Sequence, residues 1–256
     1  MTDLKDLDVS TSMKETVRLI NVALDSLNAN ALAGKPSALS AAEKGTVDVV
    51  KKKLLEVEEA FWRPLDSPET FERLAKVAAS IGDGDLIKYC QKQKNMVIGT
   101  EIHFKGYCQL FYGNAKEAVV HLKKAVELAP DLDVAPKDYE TAVKRVAKAE
   151  KDLPAINRMM STKGETAELL QKKAVALMAL GNVDEAIPLF DKVIKLEPTN
   201  PEAWGKRGTA LESLGKFDEA VPYLSKALAL KPTSITAKRG LGLATFWTKG
   251  GEKPVD

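Results

Sequence analysis

The chain has 256 residues, 29% of them charged, with 38 Lys and Arg against 36 Asp and Glu for a net charge of +2. That balance excludes a global electrostatic draw toward nucleic acid or anionic membranes. No run of about 18 uncharged apolar residues occurs, and the opening MTDLKDLDVSTSMKE lacks the apolar core of a secretion signal, so neither membrane insertion nor export is expected. The two cysteines, Cys90 and Cys108, show no CxxC spacing and read as buried thiols in a reducing compartment, which makes the expected location cytoplasmic.

Apolar spacing is helical almost throughout and strand-type alternation is missing, which predicts an all-α fold. MKETVRLINVALDSL places Val17, Ile20, Val22, Ala23 and Leu27 on one broad stripe. The Gly/Pro/Ser stretch AGKPSALS then leads to a second helix at about 40–61, carrying Val47, Val50, Leu54, Leu55, Val57 and Phe61 and closed by RPLDSPE. Residues 1–67 thus form an N-terminal helical segment. From 68 onward the chain reads as helical hairpins. Degenerate units cover 68–98 and 133–166, clear ones cover 99–132, 167–200 and 201–234, a capping helix covers 235–248, and 249–256 is a tail.

The two sharpest units are near copies, ALMALGNVDEAIPLFDKVIKLEPTN and ALESLGKFDEAVPYLSKALALKPTS, 34 residues apart. Small residues at Gly106, Ala174 and Gly208 let the first helix of each unit lie closely against the second, where Ala118, Ala186 and Ala220 are also small. Gly113, Gly181 and Gly215 are expected to end the first helices in the left-handed conformation. Asn114 to Glu117 and Asn182 to Glu185 read as capping boxes for the second helices. Pro130, Pro198 and Pro232 stop those helices. Pro188 and Pro222, just inside them, should bend the first turn slightly.

This period and hairpin plan resemble the tetratricopeptide repeat (TPR) family. The matching positions are Trp204, Gly208, Leu211, Ala220, Leu224 and Pro232; Leu170, Ala174, Leu177, Ala186, Phe190 and Pro198; and Ile102, Gly106, Ala118, Leu122 and Pro130. A weaker set is Phe71, Leu74, Ala75 and Ala78. Lys105, Lys173 and Arg207 depart from the pattern, standing where the family usually has leucine; their stems can cover apolar neighbours while the charges reach water.

The resemblance implies a right-handed superhelical solenoid whose first helices line a concave groove, and a non-catalytic protein–protein interaction scaffold that holds a peptide or helix of a partner there. Groove positions are His103, Tyr107, Leu110, Gln171, Val175, Met178, Thr209, Glu212, Arg239, Leu243 and Phe246. The lysine, asparagine and arginine clamp by which TPR co-chaperones hold a C-terminal carboxylate is missing: the matching positions are His103, Tyr107, Lys172, Glu202 and Lys206. No cofactor and no metal are expected. His103 and His121 are alone, without HExxH or CxxC, and no phosphate-binding glycine loop occurs, so no catalytic residue is assigned. The alternative reading is a self-assembling homo-oligomer, built through the N-terminal helices or through the apolar residues of the capping helix.

Overall fold

The computed structural model describes residues 13–36, 39–61 and 67–248, with the side chain of Trp247 and the expected tail 249–256 outside that description. Among the described residues twelve helices follow one another: α1 (Met13–Asp25), α2 (Ala29–Leu32), α3 (Ala41–Phe61), α4 (Pro68–Ile81), α5 (Gly84–Tyr112), α6 (Ala115–Leu128), α7 (Val134–Lys163), α8 (Ala167–Ala179), α9 (Val183–Leu196), α10 (Pro201–Ser213), α11 (Phe217–Leu230) and α12 (Ile235–Thr248). They divide into two compact units, 1–101 with 125–132, and 102–124 with 133–256.

In the first unit, Ile20 and Leu24 of α1, Val50 and Leu54 of α3, and Phe71 and Leu74 of α4 share one buried core. Helix α4, expected as the first half of a degenerate repeat, is therefore packed with the N-terminal helices. Polar ties follow the same path: the Asn21 amide donates to Thr70 Oγ1 at 2.9 Å, and Arg73 donates to Asn21 Oδ1 at 2.6 Å and to Asp25 at 2.5 Å. Ser40 and Glu43 cap α3 reciprocally, since Ser40 N–H donates to Glu43 Oε2 at 2.8 Å and Glu43 N–H to Ser40 Oγ at 3.3 Å. The Ser40 N–H and hydroxyl, with Asn28 N–H at 2.9 Å, hold the Glu43 carboxyl down at about 2.

Two helices are longer than the repeat pattern predicts. Between Lys94 and Glu101 the chain has no proline and no polar turn cluster, and Gly99 remains helical, so α5 runs unbroken across the boundary expected at 98. Glycine is needed at that point for a different reason: a Cβ on Gly99 would lie 2.4 Å from Ala129 Cβ. Similarly, 133–166 forms one helix, α7, with Pro154 inside it. Its packing side alternates steps of four and three. Ala135, Ala142, Ala149 and Ile156 are buried, with Tyr139, Val146, Leu153 and Met160 half-buried between them. That is a heptad seam, the spacing that keeps one side of a helix toward its neighbours when helices wind slightly around one another; here it packs on α6 and α8.

The remaining hairpins of the second unit, α8–α9 and α10–α11, follow the expected plan. Gly113, Gly181 and Gly215 end their helices at φ 99°, 83° and 71°. Ala186, Phe190, Ala220 and Leu224 are fully buried. Asn114 Oδ1 accepts from Glu117 N–H at 3.2 Å, but Asn182 makes no side-chain cap. Its backbone, at φ −85° and ψ 57°, is not in the extended conformation that aims a capping side chain, whereas Asn200 at ψ 103° accepts from both Glu202 and Ala203 N–H. Arg207, a departure from the repeat pattern, is well anchored: its guanidinium pairs with Asp191 and lies 3.8 Å from the centre of the Tyr223 ring.

Candidate functional site

Within the second unit α7, α8 and α10 enclose a groove of about 780 Å³. Its apolar lining comes from Ala149, Ile156 and Met159 of α7 and from Val175, Ala176, Met178 and Ala179 of α8. Each helix contributes one face, α7 beside its heptad seam and α8 on the stripe of Gln171, Val175 and Met178. Arg145, Lys148, Lys172 and Lys206 line it together with Asp152, Glu168 and Glu202. Four cations against three acids leave little net field, so the groove does not select a polyanion. Two of the cations are already engaged: Arg145 Nη1 donates to the Leu110 carbonyl at 2.9 Å, and Lys172 pairs with Glu168 at 2.5 Å.

The eleven positions read from the sequence fall into separate places. Gln171, Val175 and Met178 meet in this groove; Val175 is exposed at its surface and Met178, 2% exposed, forms its floor. The amide of Asn200 donates to Gln171 Oε1 at 3.2 Å, which fixes that side chain at the groove edge. His103 and Tyr107 lie elsewhere on α5, where His103 Nε2 sits 2.8 Å from Asp138 and its ring 6.3 Å from that of Tyr107. Leu110 and Thr209 are buried, Leu110 in the core shared with α6, α7 and α8, and Thr209 with its hydroxyl donating to the Lys206 carbonyl at 3.0 Å. On α12, Arg239 lies 5.7 Å from the centre of the Phe111 ring, Leu243 is half-buried and Phe246 is exposed. Lys172, Glu202 and Lys206, compared above with the co-chaperone clamp, all line the groove, whereas His103 and Tyr107 do not.

Glu212 has the most unusual surroundings. It is 1% exposed, and neither carboxylate oxygen has a hydrogen-bond partner. A Cβ on Gly240 of α12 would lie 2.9 Å from its Oε2. Burial pushes its carboxyl up to about 7. Its charge in turn adds to the burial that raises Tyr112 and lifts the Cys108 thiol to about 11. Cys90 is likewise raised to about 11 by burial, so neither thiol is an activated nucleophile. Among the described residues no group of three or more His, Cys, Asp or Glu side chains could hold a metal ion, and no helix is long and apolar enough to cross a membrane.

The contribution of α7 to the groove is the part that reading the sequence as hairpins did not give. Its signal was available in the 4–3 spacing from Ala135 to Met160, but that spacing sits in a stretch read as a degenerate repeat.

The tetratricopeptide repeat family model matches residues 172–235. No curated protein matches the chain. Among solved structures, a double mutant of MamA from strain RS-1 is 15% identical over 60% of this chain and 86% of that chain, with a TM-score of 0.39. MamA from residue 41 to its end, from Desulfovibrio magneticus RS-1, is 13% identical over 88% of this chain and 99% of that one, with a TM-score of 0.32. YrrB, described as a TPR protein with an unusual peptide-binding site, is 14% identical over 90% and 97% respectively, with a TM-score of 0.35.

Proposed function

We propose that the chain, whose residues 172–235 match the tetratricopeptide repeat family model and fold as helical hairpins, is a non-catalytic scaffold that holds a segment of a partner protein in the groove between α7, α8 and α10. The observation that carries this reading is the groove itself, an open apolar trough with polar groups at its edge. Val175, Met178 and Ile156 supply apolar contact, while Gln171, Lys148 and Lys206 offer hydrogen bonds and charge. Such a lining suits a segment of mixed polarity, and its near-neutral balance disfavours a strongly charged one. The free thiols of Cys90 and Cys108 support a reducing compartment, such as the cytoplasm.

The test is a random-peptide display selection on the full chain, followed by affinity measurement with variants of exposed groove residues. Val175→Glu and Lys206→Glu should each weaken the selected peptides about tenfold or more, with melting temperatures unchanged. Peptides that bind both variants as well as the parent chain would remove the groove from the account.

A further inference from the structure

In the hairpins of the second unit, the second helix seats a large side chain over a notch cut by a small residue of the first helix. A Cβ on Gly106 would lie 2.7 Å from Leu122 Cγ, and one on Gly208 2.6 Å from Leu224 Cγ. At the same place in the next unit, 34 residues on, α12 carries Gly242, and nothing lies within 4 Å of a Cβ built there. Among the described residues nothing fills this notch. Glycine inside an exposed helix is less favourable than alanine, and no contact among the described residues offsets that at Gly242.

Helix α12 is docked by its opposite face. Ala237, Gly240 and Ala244 are buried, with Gly240 closing on Glu212 and on Leu224, 3.1 Å from its virtual Cβ. Ile235, Arg239, Gly242 and Phe246, spaced i, i+4, i+7 and i+11, form the outward stripe, with Ile235 71% and Phe246 57% exposed. In the corresponding stripe of α10, Gly205 and Gly208 are covered by α11, with Ala227 Cβ 3.7 Å from a Cβ built on Gly205, while Glu212, the counterpart of Phe246, is covered by α12. The surface is therefore a continuation of the interface that already joins α10 to α11. Two positions differ in charge: Gly205 is replaced on α12 by Arg239, next to Lys238, and Glu212 by Phe246, and α12 has no acidic residue. Arg239 is exposed, with its guanidinium 5.7 Å from the centre of the Phe111 ring.

We propose that the outward stripe of α12 docks an amphipathic helix of a partner protein, in the place a second repeat helix would take. The partner's leucine enters the Gly242 notch as Leu224 enters that of Gly208. Three residues later, where α11 has Ala227 opposite Gly205, the partner carries Asp or Glu opposite Arg239. The recognised pattern is Leu-x-x-Asp/Glu within a helix that is otherwise like α11. No residue of α12 lines the α7–α8–α10 groove, so the proposal stands or falls apart from that reading.

The probe is a fluorescently labelled peptide with the sequence of residues 216–231 carrying Ala227→Glu, titrated with the full chain and followed by anisotropy. Binding is expected, with a loss of about tenfold or more when the chain carries Gly242→Leu. Leucine meets no described atom near its Cβ and is the better helix former, so the variant's melting temperature should not fall. Arg239→Glu should reverse the preference, favouring the same peptide with Ala227→Lys. No binding by the parent chain, or binding indifferent to Gly242→Leu and to the charge exchange, overturns the proposal. Concentration-dependent dimerisation of the chain alone, abolished by Gly242→Leu, also overturns it, because the occupant would then be a second copy.

Discussion

Glu212 breaks the rule that a buried charge has a partner. In the other two clear copies its position holds Met178 and Leu110, both apolar. A carboxyl raised to about 7 in the fold stays protonated while the same group in the unfolded chain ionises near its ordinary value of 4.5. Stability is then full below about pH 4.5, falls as the pH rises from there to about 7, and stays low above that. The loss is at most about 3 kcal/mol, since one pKa step is worth about 1.4 kcal/mol. Glu212→Met should flatten this dependence: thermal melts at pH 5 and pH 8 should differ more for the parent chain than for the variant. Equal differences would mean that Glu212 ionises freely in the fold. Arg207 gives a second test at this scale, because its flat guanidinium both stacks on Tyr223 and pairs with Asp191. Arg207→Lys keeps the charge and loses the stacking, at a cost of about 1 kcal/mol in urea denaturation. An unchanged midpoint would assign nothing to the stack.

Between helices, the same residue type has opposite consequences at equivalent places. Gly208→Leu must displace Leu224, whose Cγ is 2.6 Å from the position of the new Cβ, and should destabilise the chain by about 1–3 kcal/mol. Gly242→Ala meets nothing within 4 Å and should stabilise by about 0.5–1 kcal/mol, the ordinary helix preference of alanine. Chemical denaturation of the two variants decides the matter; a shift of the same sign in both would contradict the notch assignment. These contacts were legible in the sequence, since the turn glycines and the small residues recur at fixed offsets and each offset has a local cause. The long helices were not. Continuity of α5 depends on the absence of a stop signal around Gly99, and repeat periodicity implies a stop there. Asn182 looked like Asn114 in sequence, but capping depends on a backbone angle that the residue type does not set. Burial of Glu212 was hidden for a similar reason: the helical spacing marks its face, and only the approach of Gly240 shows that α12 covers it.

For the molecule as a whole, the groove arises because one continuous helix, α7, stands where a hairpin was expected. Its alanine-rich seam lies on α6 and α8, and Ile156 at the seam with Met159 beside it lines the groove together with Val175 and Met178. Three of the eleven positions read from the sequence, Gln171, Val175 and Met178, belong to that space. The others were chosen by a repeat register that assumes uniform hairpins, and α7 interrupts it. The most direct measurement is methyl-labelled NMR of the full chain on addition of a peptide obtained by selection. The account predicts that the methyl signals of Met159, Val175 and Met178 shift together, in a saturable way, while those of the first unit stay in place. Shifts confined to α5 near Tyr107, or to the first unit, would contradict it.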